Sequence, residues 1–189
     1  MRIITGSARG ARLKTPKGMG TRPTADRIKE SLFNILGYRV AGRTVLDAFA
    51  GTGALGLEAL SRGASSAVFI DQATGALIRE NAAHTHLEAR AEILRGDVFA
   101  QLQRLSAAGR RFDLVFCDPP YHKGLWQKAL VFFDTRELLK ADAIVVVEHG
   151  LDEPELPELV SLECVRNQHY GAATQLSFFQ RRGEGGEDS

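Results

Sequence analysis

The sequence of 189 residues contains little cysteine, and its apolar residues form no long runs. Its two cysteines, Cys117 and Cys164, are too few for a disulfide framework, and both lie in apolar stretches typical of buried thiols. No apolar run approaches the roughly 20 residues of a membrane-spanning helix. Residues 1–6 lack the apolar segment of a signal peptide. These absences favour a cytoplasmic protein built as one folded domain with a small appendage.

The charges nearly balance, but they are distributed unevenly along the chain. Residues 1–44 contain ten Lys or Arg and two acids, a net charge of +8, whereas the rest contains 14 bases and 21 acids, a net charge of −7. A basic segment on an acidic body predicts contact with a polyanion at one end of the molecule. Two β-prone pieces in this segment, residues 2–5 and 11–14, are separated by turn residues, which predicts a basic hairpin.

The most informative stretch runs from residue 45 to residue 56. It reads as a short apolar strand, a G-x-G-x-x-G loop formed by Gly51, Gly53 and Gly56, and the start of a helix. Glycine allows a sharp turn and lets a ligand approach the backbone closely. Asp71 follows Gly51 by 20 residues and ends a second apolar run, where an acid that binds ribose is expected. The pattern predicts a nucleoside-binding crevice.

Asp47 decides which kind of ligand this crevice favours. It ends the first strand just before the glycine loop, where its carboxylate would face the ligand. A carboxylate repels a pyrophosphate but attracts a cation, by about 1 to 4 kcal/mol at about 4 Å depending on the local dielectric. S-adenosylmethionine (SAM) carries a sulfonium and an α-amino group and no phosphate. The loop therefore favours SAM over a nicotinamide dinucleotide. It thus disfavours an oxidoreductase, the class of enzyme that a nicotinamide cofactor would indicate.

From residue 44 onward, predicted strands and helices alternate, which indicates a mostly parallel α/β sheet with right-handed crossovers. A helix at 25–36, with Thr24 as its N-cap, precedes this region. The last two strands, within 158–181, turn at Tyr170 and Gly171 and predict an antiparallel edge. The remaining predicted strands are 44–48, 66–70, 91–95, 112–117 and 143–147, and the helices are 54–62, 73–88, one from Asp97 to about 107, 125–134 and a short one at 136–140.

The tetrapeptide Asp118-Pro119-Pro120-Tyr121 directly follows the fourth strand of this pattern. The prolines fix φ and remove two N–H donors, so carbonyl acceptors remain beside the Asp118 carboxylate. Such acceptors suit an exocyclic amino group, and Tyr121 offers a face on which a base can stack. Ligands of α/β sheets bind at the carboxyl ends of strands, so this loop is expected to share a crevice with the glycine loop.

The chain resembles the RsmD family in these motifs and in Arg22-Pro23-Thr24 with Asp26-Arg27. The family's members methylate N2 of a guanine in the 16S rRNA of the small ribosomal subunit. The resemblance extends from Arg2 to about Arg181. It implies a class I SAM-dependent methyltransferase with a Rossmann-like, seven-stranded sheet and an N-terminal hairpin that contacts RNA. It also implies a partly or fully assembled small subunit as the substrate, and we expect a monomer.

These observations give a set of candidate sites and a division of the chain. We expect a basic arm at 1–20, a methyltransferase domain at 21–182 and a disordered tail at 183–189. We expect no metal-binding site. The candidate catalytic residues are Asp118, Pro119, Pro120 and Tyr121. The candidate cofactor residues are Thr24, Asp47, Phe49, Gly51, Gly53, Asp71, Gln72, Asp97, Val98 and Asp118. The candidate RNA-binding residues are Arg2, Arg9, Arg12, Lys14, Arg22, Arg27 and Lys123.

Two alternative functions and the role of one residue, Asp97, remain open at this point. A DNA or protein amino-methyltransferase uses a similar loop but usually carries an added target-recognition domain. A non-catalytic RNA-binding module needs neither Asp47 nor Asp118. For Asp97, capping of the following helix and contact with adenine are equally compatible with its position after Gly96.

Overall fold

The computed structural model describes residues 1–16 and 23–182, apart from the side chains of Pro23 and Thr24. Arg22 and the predicted tail at 183–189 therefore lie outside the described residues. Within the described part, the helices are α1 (Pro23–Leu36), α2 (Ala54–Ser61), α3 (Gly75–His84), α4 (Val98–Ala107) and α5 (Leu125–Thr135). The strands are β1 (Thr44–Ala48), β2 (Ser66–Asp71), β3 (Ala91–Arg95), β4 (Phe112–Cys117), β5 (Leu139–Gly150), β6 (Leu162–Tyr170) and β7 (Thr174–Arg181).

The seven strands form one sheet in the order β3-β2-β1-β4-β5-β7-β6. The first five strands of this order are parallel, and β7 pairs antiparallel with both β5 and β6. The chain moves outward in one direction from β1 to β3 and then returns to start β4 on the other side of β1. This reversal opens a crevice at the carboxyl ends of β1 and β4. The predicted α/β class, with its antiparallel edge, is confirmed.

Helices cover both faces of the sheet because neighbouring residues of each buried strand point to opposite sides. On β1, Val45 belongs to the core layer that includes Phe33 of α1 and Leu57 of α2. The next residue, Leu46, belongs to the opposite layer, which includes Trp126 of α5. The strands are therefore apolar on both sides, and polar side chains gather at the strand ends. This arrangement places the predicted site residues at one edge of the sheet.

The N-terminal segment packs against the body of the protein. Arg2 and Arg12 form an antiparallel bridge, as expected for the hairpin, and Ile3 and Leu13 are buried in the same core layer as α1 and α2. The carboxylate of Glu58, in α2, accepts hydrogen bonds from the backbone N–H groups of Ile4 and Thr5 at 2.8 and 3.0 Å. This anchor joins the basic segment to the helix that follows the glycine loop.

Two predicted helix boundaries and one predicted short helix are wrong. α1 begins at Pro23, so Thr24 lies within its first turn and is not its N-cap. α3 ends at His84 because His86 adopts a positive φ of 57°. Residues 136–140 form no helix, because the chain becomes extended after α5 and β5 already begins at Leu139. No helix in the described part of the chain is both long and apolar enough to cross a membrane.

Candidate active site

The glycine loop makes the turn from β1 to α2 with three residues in left-handed backbone conformations. Gly51 and Gly53 have φ values of 56° and 79°, which glycine adopts without strain. Phe49 has a φ of 65°, an uncommon conformation for a residue with a side chain and one that tends to occur at functional sites. Gly56 is needed for space, because a Cβ there would lie 2.3 Å from the Phe69 ring. The loop thus holds α2 tightly against β2 and presents its N-terminus to the crevice.

Asp47 is a buried carboxyl group at this edge, with 1% of its surface exposed. Its Oδ2 accepts a hydrogen bond of 2.9 Å from the backbone N–H of Gly56. Burial, with a smaller contribution from the nearby charge of Asp71, raises the pKa of Asp47 to about 8, although this hydrogen bond lowers it. Among the described residues, no basic side chain forms an ion pair with Asp47. A cationic ligand would supply the missing charge.

Asp71, at the end of β2, is held in a different way. Its Oδ2 accepts a hydrogen bond from Gly51, and its Oδ1 accepts from Ala73 and Thr74, all through backbone N–H groups at 2.8 to 2.9 Å. Burial alone would raise the pKa of Asp71, but these donors outweigh it and hold the pKa below its ordinary value. The carboxylate is therefore ionised and rigid, and its remaining lone pairs can accept hydroxyl groups of a ribose.

Two adjoining cavities open at the carboxyl ends of the strands, and they share Phe49, Gly51, Asp118 and Tyr121. The first has a volume of about 810 Å³ and the second about 900 Å³. The other polar and aromatic residues of the first include Lys29, Asp47, Thr52, Glu148, Tyr170 and Thr174. The other polar and aromatic residues of the second are Asp71, Gln72, Asp97, Phe99, Lys123 and Lys128. The structure thus brings the glycine loop, predicted to bind the cofactor, together with the loop of residues 118–121, predicted to bind the amino group.

Asp118 and Tyr121 stand at the junction of the two cavities. The Asp118 residue is exposed at this junction. The pKa of its carboxyl group is raised by the loss of water around it, followed by the charges of Glu148 and Asp47. The Tyr121 hydroxyl donates a hydrogen bond of 2.8 Å to Oε1 of Glu148, which fixes the far end of the ring. Burial raises the pKa of Tyr121, so the hydroxyl keeps its proton. The site therefore holds acceptors and an aromatic ring in fixed positions.

The chain matches the family model described as Conserved hypothetical protein 95 over residues 1–180. It is 38% identical to the Bacillus subtilis protein YlbH, over 97% of this chain and 100% of that protein. It is 33% identical to Ribosomal RNA small subunit methyltransferase D of Escherichia coli, over 100% and 94% of the two chains. The solved structure of yhhF from Escherichia coli superposes with a TM-score of 0.82 at 33% identity, covering 97% and 99% of the two chains.

The chain belongs to the RsmD family. As an RsmD family member it is a SAM-dependent methyltransferase, as the glycine loop and Asp47 predict. The crevice fits this cofactor, since Asp47 is a buried acid that no described side chain neutralises, and SAM carries positive charge beside its transferable methyl group. The ionised Asp71 lies at the other end of the glycine loop, where a ribose hydroxyl can be bound.

Several other predicted cofactor residues of this RsmD family member line the second cavity. Asp97 caps α4 by accepting a hydrogen bond of 2.9 Å from the Ala100 N–H, and it still faces the cavity beside Gln72 and Val98. Capping and ligand contact are therefore compatible. Among the described residues, no cluster of three or more His, Cys, Asp or Glu side chains is arranged to hold a metal ion.

The predicted RNA-binding residues are spread over the surface of this RsmD family member. Arg2, Arg9, Arg12 and Arg27 are exposed. Lys14 differs from the other bases of the arm because it forms an ion pair with Glu80 of α3, so part of its charge is already neutralised. Exposed Lys123 lines the second cavity.

Sequence reasoning missed several residues of the site, among them Glu148 and Lys128. Glu148 lies within β5, one residue beyond the end of the strand predicted at 143–147. A polar residue after an apolar run was the signal that identified Asp47, Asp71 and Asp118, and it applied equally here. Lys128, on α5, lines the second cavity with its Nζ 4.0 Å from the centre of the Phe99 ring, and a helical lysine gave no such signal.

Proposed function

We propose that the protein transfers a methyl group from SAM to the exocyclic N2 of a guanine in 16S rRNA of the small ribosomal subunit. The observation that supports this most directly is the position of the Asp118-Pro119-Pro120 acceptors. Asp118 lies where the cavity of Asp71 and Asp97 meets the cavity of Asp47, and Pro119 and Pro120 beside it line the cavity of Asp71 and Asp97. An amino group bound there would lie beside the cofactor. The rRNA substrate follows from the names of full-length relatives such as the Escherichia coli enzyme.

The bound cofactor supplies an electrophilic methyl group, and the protein supplies position and electrostatics. An amino group conjugated to a base ring is a poor nucleophile, because its lone pair is delocalised into the ring. Acceptors that hold both of its hydrogens, at Asp118 and at a carbonyl of the proline pair, can turn the lone pair toward the methyl carbon. As the N–C bond forms, the nitrogen becomes positive, and the Asp118 carboxylate stabilises that charge and takes the N2 proton. The raised pKa of Asp118 suits it for accepting this proton.

Tyr121 is proposed to stack on the target base. Its hydroxyl is tied to Glu148, so the ring is held before the base arrives and loses little freedom on binding. Stacking of a base on an aromatic side chain contributes roughly 1 to 3 kcal/mol. This contribution positions the ring plane of the base, while Asp118 positions its amino group.

The basic arm is proposed as the surface that docks on RNA phosphates. Arg2 and Arg12 are directly opposite one another across the antiparallel bridge, and both are exposed. Like charges that face each other across a strand pair are destabilising, so a bound phosphate would relieve their repulsion. Arg9, between them in the chain, is also exposed. The anchor from Glu58 holds this surface at a fixed place relative to the glycine loop.

Replacing Arg2, Arg9 and Arg12 together with alanine should weaken RNA binding and reduce its salt dependence. Each phosphate contact adds about 0.7 to 0.9 to the slope of log affinity against log salt, because bound counterions are released. The slope should therefore fall by about two to three units if all three contact phosphate. Filter binding or fluorescence anisotropy at several salt concentrations measures this slope. SAM affinity should not change.

The matched control replaces Arg104, Arg136 and Arg166, which are exposed and lie outside the arm. It removes the same total charge from α4, the end of α5 and β6. If both triple variants lower the slope equally, RNA binding depends on net charge alone and the arm has no special role.

The proposed reaction is tested by nucleoside mass spectrometry and position mapping of rRNA from a strain that lacks the protein. The strain should lose one N2-methylguanosine from 16S rRNA, and expression of the protein should restore it. Loss of a different modified nucleoside, or no change in rRNA, would contradict the proposal.

The form of the substrate is tested by comparing methylation of naked 16S rRNA with methylation of isolated small subunits. Sedimentation tests the proposed monomer. Because ribosomal subunits are its substrate, the protein would act in the cytoplasm.

A further inference from the structure

The first cavity contains a third acid, Glu148, which the reaction described above does not use. We propose that Glu148 recognises the N1–H group of the target guanine and so excludes the other bases that carry an amino group; this inference rests on the proposed function. Glu148 lies on β5, which pairs with β4, and Asp118 directly follows β4; Glu148 lines the same cavity as Asp118 and Tyr121. Its carboxyl group is partly exposed to that cavity.

The hydrogen bonds around Glu148 leave one of its oxygens available to a ligand. Oε1 accepts the Tyr121 hydroxyl at 2.8 Å, and among the described residues no donor bonds to Oε2. Tyr121 is also the ring proposed to stack on the base. The same side chain thus positions the plane of the base and the carboxylate that would meet its edge. Burial raises the pKa of Glu148 and the Tyr121 hydrogen bond lowers it, so a further donor from the base would favour the ionised form.

Guanine differs from adenine and cytosine in the ring atom next to its amino group. In guanine that atom is N1–H, a donor, whereas adenine N1 and cytosine N3 are acceptors. Two neighbouring carboxyl groups match two neighbouring donors, with Asp118 at the amino group and Glu148 at N1–H. Adenine or cytosine in the same pose would place a lone pair against the Glu148 carboxylate. Buried polar groups left unpaired in this way reject the wrong substrate strongly.

The test exchanges donor and acceptor on both sides of this contact. Glu148→Gln keeps an oxygen for the Tyr121 hydroxyl and places an NH₂ donor at the position of Oε2. The substrates are reconstituted small subunits that carry either guanine or 2,6-diaminopurine at the mapped nucleotide. Diaminopurine keeps the 2-amino group, but its N1 is an acceptor. We expect wild type to prefer guanine by about 100-fold, because diaminopurine loses one hydrogen bond to a charged group. We expect Glu148→Gln to lose about 10- to 100-fold in kcat/KM on guanine, the size of one hydrogen bond to a charged group, and to gain on diaminopurine.

Tyr121→Phe is the matched control, because it removes the hydroxyl that contacts Glu148 and leaves the carboxyl group in place. It should lower the rate on both substrates and preserve the preference for guanine. SAM affinity of both variants, measured by calorimetry, reports that they remain folded. If Glu148→Gln loses activity on both bases by the same factor, Glu148 only positions Tyr121 and the inference is overturned. If wild type does not methylate guanine at all, the proposed function itself fails.

Discussion

Asp118→Ala should bind SAM nearly as tightly as wild type and lose turnover by about 100- to 1,000-fold, the usual effect of removing one preorganised electrostatic group. The two effects separate because Asp118 lies at the amino-group end of the site, whereas Asp47 and Asp71 adjoin the glycine loop. Calorimetry measures SAM binding, and transfer of a labelled methyl group to small subunits measures turnover. A folded Asp118→Ala variant that binds no SAM would show that the carboxylate serves the cofactor instead.

Asp118→Asn separates the hydrogen bond that this residue accepts from its negative charge and its transfer of a proton. The amide keeps one oxygen that can accept an N2 hydrogen, but it cannot carry negative charge or take a proton. If the carboxylate acts mainly by holding the amino group, Asn should retain much more activity than Ala. If charge and proton transfer dominate, the two variants should be equally slow. The raised pKa of Asp118 favours a contribution from proton transfer, so we expect Asn to be intermediate.

The location of the site could be predicted from sequence because it depends on strand ends. Asp47, Asp71 and Asp118 each end or follow an apolar run, and parallel strands bring such ends to one edge of the sheet. Glu148 satisfies the same rule, because it follows the predicted strand 143–147 just as Asp118 follows the predicted strand 112–117. Applied to every predicted strand, the rule therefore includes Glu148 among the site residues.

Contacts between distant segments could not be predicted in the same way. The Glu58 carboxylate holds the N-terminal backbone and also pairs with Lys29 and Arg62, yet in sequence it is simply an acid in a short helix. A short helix is predicted at 136–140, but Leu138 and Leu139 are buried, and Leu139 pairs with Phe112 in the sheet. Packing against distant parts of the chain determines the secondary structure of such segments, and local sequence does not indicate that packing.

Asp47→Asn should stabilise the ligand-free protein and abolish the stabilisation that SAM provides. Asn can still accept the Gly56 hydrogen bond, but it brings no charge into a site that is 1% exposed. Burial of the wild-type carboxylate lowers the stability of the ligand-free protein, and only a bound cation removes this effect. Such a loss of stability is often found at functional sites. Differential scanning fluorimetry at pH 8, with and without SAM, measures both effects. We expect a higher Tm for the variant alone and a SAM-induced shift in wild type only.

The pH dependence of this difference follows from the raised pKa of Asp47. The group has a pKa of about 8 in the folded protein and about 4 when unfolded, so between these values the folded state holds the proton more tightly. Its contribution to stability is therefore present at pH 4 and is lost progressively as the pH rises toward 8. Because Asn does not titrate, the Tm advantage of Asp47→Asn should grow from pH 5 to pH 8. SAM binding to wild type at pH 6 should release a proton, since the cation favours the ionised carboxylate, and calorimetry in buffers of different ionisation enthalpy detects it.

Asp142→Asn is the matched control for these measurements, because Asp142 is an exposed acid on β5 outside both cavities. The same atoms change, so a general effect of removing one negative charge would appear in both variants. The SAM-induced shift and the proton release should persist in Asp142→Asn and be absent from Asp47→Asn. If SAM raises the Tm of Asp47→Asn as much as that of wild type, the buried carboxylate does not contact the cation. Recognition of the cofactor would then depend on the glycine loop and Asp71, and Asp47 would serve only to hold the start of α2 through Gly56.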